Sequence, residues 1–435
     1  MEPKPEKNKE LKKSRIYTSA SLSDFEELIP SEKYLYKEYT VQTEDGYILK
    51  LFRIQSIDQN PEKDEENTEK KKEFKKERHP IVLMHGLSSD SVSRYLVNDR
   101  DLALGFILAD NSFDVWFGNN RGTRFCRDHA TLSSESPDFW EYSFDQLAEF
   151  DLPATLGFVS KQSGGRKVVY FGYSQGCTQM IAALADKNYR KKVKPYLHSV
   201  MGFAPAVFFN HTESRTFVQD FQDVVDGCEK AGEFHTELGA GWDKSPEQQA
   251  DAENQNQADD GDEVHLKKRS FEEIQSKRMS EEEIDTVFKN LKIYNLKKET
   301  INWSRYPVLL SMRGSGTSKR AWKHFSQLMN SSHPENNTFR KFDFGSVEAN
   351  QKEYGAPKPP LYDLGLVEER ITFWIGLEDS LTYKPDMEDL KAKMSNSQTE
   401  MIYLEGWGHS GVCIGPRGPF HDQIVPKILE HLEQV

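Results

Sequence analysis

The stretch Val168-Val169-Tyr170-Phe171-Gly172-Tyr173-Ser174-Gln175-Gly176 decides the fold of this chain. Its first four residues are β-branched or aromatic and predict a buried strand, and the following segment 178–185 predicts a helix. The backbone must turn sharply at Ser174, and the small residues Gly172 and Gly176 leave room for that turn. In a chain with 27 glycines the pattern G-x-S-x-G can arise by chance. The predicted strand before it and the predicted helix after it favour an exposed serine nucleophile instead.

The composition limits the function classes that need to be considered. The chain has 435 residues, enough for one large domain with inserts or for two domains. Its formal net charge of −13 argues against binding to nucleic acid and against strong attraction to an anionic membrane surface. No apolar window is long enough to span a bilayer. With 36% hydrophobic and 29% charged residues, the chain is polar for a globular enzyme, which indicates long solvated inserts.

The cysteines and the first residues bear on cofactors and compartment. The 4 cysteines are widely spaced, so neither a zinc site nor a dense disulfide framework is expected. We also expect no organic cofactor. The polar N-terminus, residues 1–13, contains no apolar core segment, so we expect no signal peptide and favour a cytoplasmic location.

Strand signals alternate with helix signals along much of the chain. An antiparallel hairpin is predicted over 39–54, with its turn at Glu44-Asp45-Gly46, and a helix containing Pro153 is predicted over 144–159. The other predicted strands are 80–84, 113–117, 168–171, 199–205, 371–375 and 400–404. Because parallel strands need crossover connections, this alternation predicts a mostly parallel, doubly wound α/β sheet.

The pattern divides the chain into four parts. We expect a polar, disordered N-terminus over 1–29 and a first part of the α/β core over 30–205, with a charged insert at 60–79. Three apolar stripes at helical spacing (217–228, 284–294 and 322–329) predict a helical cap over 206–358, inserted before the last strands. The cap includes an acidic low-complexity insert at 243–261, and the second part of the core follows over 359–435.

Two further side chains complete a candidate catalytic triad with Ser174. A serine hydroxyl needs a base within hydrogen-bond reach, and the base needs an orienting acid. Asp379 and His409 each follow one of the last two predicted strands, on the same sheet edge as Ser174. Glu378 is the alternative acid and His421 the alternative base.

Two backbone N–H groups are candidate oxyanion donors. Gln175 N–H lies at the start of the helix after the nucleophile, where an anion is stabilised. Leu87 N–H lies in the loop His85-Gly86-Leu87 after another strand. We expect the His85 side chain to be a packed structural group.

The chain resembles the acid lipase family, that of lysosomal acid lipase and gastric lipase. The matching stretches cover most of residues 30–205 and 340–435. They are 43–49, 85–87, 106–110, 113–116, Gly118-Asn119, Arg121-Gly122, 139–141, 143–145, 151–155, 172–176, 359–364 and 374–379.

This resemblance implies an α/β-hydrolase that cleaves carboxylic esters of neutral lipids such as triacylglycerols and sterol esters, acting at a lipid–water interface. Carried over by position, it implies Ser174, Asp379 and His409 as the triad, with no metal. The chain departs from the family at two places beside the triad. Tyr173 stands where His is common, and Gly411 stands where Asp is common.

Two alternatives stay open at this point. A non-catalytic lipid-binding protein would retain the fold, and a hydrolase of another acyl bond, such as a thioester, would retain the same motif. The sequence does not determine the oligomeric state.

Overall fold

The computed structural model describes residues 25, 28–57, 74–215, 217–237, 281, 284, 300–311, 315–330 and 339–433. Most of the predicted N-terminal tail and of the charged insert, the whole acidic insert, and the second cap stripe apart from Ile284 lie outside these residues. Within the described ranges no helix has both the length and the apolar character needed to cross a membrane.

The regular elements largely follow the sequence pattern. The strands are β1 Tyr34–Gln42, β2 Tyr47–Ser56, β3 Pro80–Met84, β4 Asp114–Gly118, β5 Asp128–His129, β6 Val168–Tyr173, β7 Leu197–Phe203, β8 His235–Glu237, β9 Gly316–Ser318, β10 Arg370–Gly376 and β11 Gln398–Leu404. The helices are α1 Ser91–Tyr95, α2 Leu104–Asp110, α3 Phe144–Gln146, α4 Leu152–Gln162, α5 Gln175–Leu184, α6 Lys187–Val193, α7 Thr212–Arg215, α8 Val218–Ala231, α9 Tyr306–Ser311, α10 Lys319–Met329, α11 Val347–Tyr354, α12 Lys384–Lys393, α13 Gly411–Ile414 and α14 Pro419–Glu433.

The central sheet confirms the predicted α/β class. Its strand order is β1-β2-β4-β3-β6-β7-β10-β11, with β5 paired to β2. Six neighbouring strands run parallel, namely β4, β3, β6, β7, β10 and β11, while β1 and β2 form the predicted antiparallel hairpin. Strands β3, β4 and β6 are buried along their whole length, as expected for parallel strands covered on both faces.

Helices cover the sheet on opposite faces. The chain moves from β3 to β4 in one direction across the sheet and from β4 to β6 in the opposite direction. Because both crossover connections are right-handed, their helices α2 and α4 lie on opposite faces of the sheet. Helix α14 packs against α2, and α5 packs against α4. The carboxyl ends of β3, β6, β10 and β11 therefore meet at one edge, which is where ligands bind in such folds.

The predicted helix over 144–159 is interrupted. It begins as the short α3, widens to a π-helical turn over Leu147–Asp151, and continues as α4. Pro153 supplies the reason, because proline has no N–H and its ring collides with the carbonyl of residue i−4, here Glu149. A wider turn before the proline relieves that collision.

The region predicted to form a helical cap contains strands as well as helices. Helices α8 and α10 occur where the first and third apolar stripes predict them, and Phe221 meets Trp322 with ring centroids 4.9 Å apart. The two strands β8 and β9 pair antiparallel between residues 235 and 318, and the expectation of a purely helical cap missed them. Each is only three residues long, too short to give a readable alternation.

We expect a buried histidine that packs against β10 to make the stability of the fold depend on pH. His431 is 2% exposed, and its Nε2 lies 2.9 Å from Thr372 Oγ1. Burial, reinforced by the charge of Arg370, lowers the pKa of His431 to about 4. As the pH falls from about 6.5, the unfolded chain takes up a proton at this residue before the folded chain does. The stability that depends on neutral His431 is therefore complete above pH 6.5 and is lost towards pH 4.

Between pH 7 and pH 4.5 the wild type should lose more unfolding free energy than His431→Gln does. The expected difference is on the order of 2 kcal/mol, because one pKa unit corresponds to about 1.4 kcal/mol. Glutamine retains a polar partner for Thr372 but does not titrate. Urea unfolding at both pH values measures the effect. Thr372→Val is the control, since it should cost the same stability at each pH. An equal acid loss in His431→Gln and wild type would contradict the prediction.

Candidate active site

The turn after β6 holds Ser174 in a backbone conformation that residues other than glycine rarely adopt. Its φ is 51° and its ψ is −116°. Ser174 N–H donates to Phe203 O at 3.0 Å, and Ser174 O accepts from Cys177 N–H at 2.9 Å. The strained serine is thus fixed by its neighbours on both sides, which is the geometry of a nucleophile elbow.

Neither glycine of the elbow has room for a side chain. A Cβ on Gly172 would lie 2.7 Å from Cys177 N, and one on Gly176 would lie 2.6 Å from Met84 O. Both obstacles are backbone atoms, which cannot rotate away as a flexible side chain can. The sequence requirement for small residues at these two positions therefore has a direct steric cause.

The structure brings Ser174, His409 and Asp379 together. His409 Nε2 lies 3.0 Å from Ser174 Oγ, and His409 Nδ1 lies 2.7 Å from Asp379 Oδ2. The three residues are 7%, 3% and 2% exposed, so little water competes for these contacts. Because the ionised carboxylate can only accept, Nδ1 carries the proton and Nε2 is left to accept from the serine hydroxyl.

Asp379 is held as a carboxylate by several donors. It accepts from Leu381 N–H at 2.9 Å, from Thr382 N–H at 3.0 Å and from the Thr382 hydroxyl. Burial alone would raise the pKa of Asp379, but the charge and hydrogen bond of His409, together with Thr382, hold it below the usual carboxyl range. Asp379 is therefore both a turn residue and the partner of His409. Thr382 was not among the residues predicted from the sequence, because the spacing of a polar loop residue does not show which carboxylate it will reach.

The alternative acid and base lie in other interactions. Glu378 N–H donates to Trp407 O at 2.9 Å, which ties the loop after β10 to the loop after β11. His421 Nδ1 accepts from Gly418 N–H at 3.2 Å near the start of α14. The relay contacts are instead made by His409, which reaches Ser174, and by Asp379, which reaches His409.

The two candidate oxyanion donors lie on segments that touch each other. Neither Leu87 N–H nor Gln175 N–H has an acceptor among the described residues. A Cβ on Gly86 would lie 3.1 Å from Ser174 Cβ, so the loop before Leu87 packs directly on the nucleophile. His85 is 2% exposed and packed, as the sequence predicted.

This arrangement has the parts needed for acyl transfer. It contains a hydroxyl bonded to an imidazole, a carboxylate bonded to the same imidazole, and two backbone N–H groups on segments that adjoin Ser174. Among the described residues there is no group of three His, Cys, Asp or Glu side chains suited to a metal ion.

Comparison with known proteins identifies the family. A family model described as "Partial alpha/beta-hydrolase lipase region" matches residues 25–98. Lipase member M of Mus musculus is 30% identical over 414 residues, which cover 94% of this chain and 85% of that protein. Gastric triacylglycerol lipase of Rattus norvegicus is 31% identical over 369 residues, covering 83% of this chain and 80% of that protein. The chain belongs to the acid lipase family.

Both departures from the acid lipase pattern lie beside the triad. The Tyr173 ring packs at an angle of 47° beside the His409 ring, with centroids 5.3 Å apart. At Gly411 an added Cβ would overlap the indole of Trp407, the residue whose carbonyl binds Glu378 N–H. Glycine there lets the Trp407 indole pack against the start of α13, two residues after His409.

The elbow of this acid lipase gives a steric prediction. Gly176→Ala should lower the free energy of unfolding by about 1–3 kcal/mol and slow fluorophosphonate labelling of Ser174, because its methyl group meets backbone atoms. Urea unfolding and labelling kinetics measure these effects. Gly227→Ala in α8 is the matched control, since nothing lies within 4 Å of its Cβ and alanine favours a helix by about 0.5–1 kcal/mol. Equal labelling rates in Gly176→Ala and wild type would contradict the prediction.

Proposed function

We propose that this acid lipase family member hydrolyses carboxylic esters of neutral lipids through an acyl-enzyme on Ser174. The observation that carries the proposal is the continuous contact from Ser174 Oγ to His409 (3.0 Å) and from His409 to Asp379 (2.7 Å). A buried relay of this kind activates a serine hydroxyl, which is a weak nucleophile by itself.

In the first half-reaction Ser174 Oγ attacks the ester carbonyl carbon while its proton passes to His409 Nε2. The carbonyl oxygen becomes an alkoxide facing the N–H groups of Leu87 and Gln175. Asp379 keeps the imidazole oriented and stabilises the imidazolium. The C–O bond then breaks, the alcohol leaves with the proton from Nε2, and the acyl group stays on Ser174.

In the second half-reaction water takes the place of the alcohol. His409 Nε2 accepts a proton from the water as its oxygen attacks the acyl carbon, and returns that proton to Ser174 Oγ as the fatty acid leaves. Each step uses only groups of this chain and of the substrate, so the proposed reaction needs no cofactor.

Two observations support a lipid ester as the substrate. The relatives include proteins named gastric triacylglycerol lipase in Rattus norvegicus, Bos taurus and Homo sapiens. The cap of this chain is rich in aromatic side chains, with Phe209, Phe221 and Trp322 all grouped around Phe325 or around one another. An apolar aromatic cluster in the predicted cap suits a long acyl chain better than a polar substrate.

Ser174→Ala should abolish hydrolysis of p-nitrophenyl acyl esters and reaction with a fluorophosphonate probe while leaving the melting temperature near that of wild type. Ser304→Ala is the matched control, because among the described residues that hydroxyl bonds only to the nearby Asn302 side chain. Wild-type turnover in Ser174→Ala would overturn the assignment, and absence of labelling in the wild type would favour a binding protein. A panel of oxygen esters and thioesters with short and long acyl chains then tests the substrate class.

The choice between the two neighbouring carboxylates gives a separate prediction. Asp379→Asn should lower kcat by about 10³–10⁴-fold, because the amide no longer holds the imidazole in the productive tautomer. Glu378→Gln should stay within a few-fold of wild type. Steady-state kinetics on one ester measures both variants, and the reverse order of activities would assign the acid role to Glu378.

A further inference from the structure

The carbonyl oxygen of Gly86 is bound by two side chains of its own loop. His85 Nδ1 lies 2.7 Å from Gly86 O, and Ser89 Oγ donates to the same oxygen at 3.0 Å. A carbonyl oxygen can only accept, so both groups must be donors here. Both side chains are buried, at 2% and 3% exposure, so water does not replace either contact.

The other ring nitrogen of His85 fixes the tautomer. Asn120 N–H donates to His85 Nε2 at 3.1 Å, so Nε2 carries no proton. Burial lowers the pKa of His85 to about 4, against the opposing effects of the Gly86 carbonyl and of the Asp90 charge. The imidazole is therefore neutral near pH 7, with its single N–H directed at Gly86 O.

Asn120 in turn connects this loop to the helix that follows the nucleophile. Its side-chain amide donates to Gln179 Oε1 at 3.0 Å and accepts from Gln179 Nε2 at 3.3 Å. Gln179 lies in α5, which begins directly after Ser174. A chain of hydrogen bonds thus runs from α5 through Asn120 and His85 to the Gly86 carbonyl.

Gly86 O and Leu87 N–H belong to one peptide unit. That unit is planar and trans, so its C=O and N–H bonds point in opposite directions. Two donors that hold the oxygen therefore also fix the direction of the hydrogen. Leu87 N–H has no acceptor among the described residues, so nothing else visible in the structure holds it.

We propose that His85 and Ser89 are positioning residues that lock the Gly86–Leu87 peptide and keep Leu87 N–H aimed at the oxyanion. The proposal rests on the proposed function, in which Ser174 forms a tetrahedral intermediate. It changes the interpretation of His85 from a packed structural group to a support of the transition state. Neither side chain touches the substrate in this proposal.

The test compares variants that change only the two side-chain donors to Gly86 O, which together form the peptide lock. His85→Phe removes the donor but keeps a flat ring, and Ser89→Ala removes the second donor. His85→Asn places an amide N–H near the position of Nδ1 and should restore part of the lost activity. Loss of an oxyanion donor lowers kcat by roughly 10²–10³-fold, so a misdirected donor should lower it by about 10–100-fold.

The expected signature is a lower kcat with KM within about three-fold of wild type, because the lock acts only when negative charge develops. A trifluoromethyl ketone with a long alkyl chain, which forms a tetrahedral adduct, should lose affinity in parallel with kcat/KM. His431→Gln is the control for replacing a buried histidine, and its kcat should match wild type. Ser89→Ala keeps the test decisive if His85→Phe does not fold.

The outcomes separate the two proposals. If the wild type shows no Ser174-dependent hydrolysis, the proposed function fails and this inference fails with it. If the wild type is active but Ser89→Ala and the folded His85 variants retain wild-type kcat and inhibitor affinity, only the peptide lock is overturned. A rise in KM at constant kcat would also overturn it, because that pattern indicates lost substrate binding.

Discussion

The active-site edge of this protein depends on how closely two backbone segments approach at the elbow. Helix α5 begins so near the end of β3 that Gly176 faces the carbonyls of Met84 and His85, with no space for a Cβ. The same approach brings the loop after β3 against Ser174. The loop that carries the proposed oxyanion donor Leu87 and the turn that carries the proposed nucleophile Ser174 therefore share one contact. A side chain at Gly176 would separate them even if every catalytic side chain were still present.

Parallel strands extend this contact to the base and the acid. Strands β6, β7, β10 and β11 lie side by side, so the loops at their carboxyl ends start at similar heights. Backbone hydrogen bonds then connect neighbouring loops, from Ser174 N–H to Phe203 O and from Glu378 N–H to Trp407 O. Residues 235 positions apart in sequence reach hydrogen-bond distance because the sheet supplies their relative position.

The parts of the fold that could be predicted from sequence are those with strong local signals. Buried strands such as β3 and β6 are continuous apolar runs, and the glycines flanking Ser174 mark the turn. The π-helical turn before Pro153 could not be predicted. The segment favours a helix while the proline ring obstructs one, and the packing around the segment decides which backbone conformation results. The strands β8 and β9 were missed because three-residue strands carry almost no periodicity.

The same distinction applies within the site. Ser174, Asp379 and His409 could be proposed because each follows a strand that the sequence reveals, whereas Thr382 and Ser89 act through bonds that only three-dimensional proximity shows. Polar residues in loops are common, and their spacing alone does not say which carbonyl or carboxylate they will reach.

The buried histidines show why the kind of residue does not determine its role. Both ring nitrogens of His85 are engaged with backbone groups, one as donor and one as acceptor, so no lone pair remains for a substrate proton. His409 is bonded instead to an ionised carboxylate at Nδ1 and to a hydroxyl at Nε2. Only the second arrangement leaves a nitrogen whose partner can give up its proton. A histidine that shares a transferable proton with a hydroxyl is therefore suited to act as a general base. A histidine whose two ring nitrogens both bond to backbone groups is suited to hold a loop in place. In the mechanism proposed above, His409 therefore moves a proton during turnover, while His85 serves the same reaction by remaining fixed.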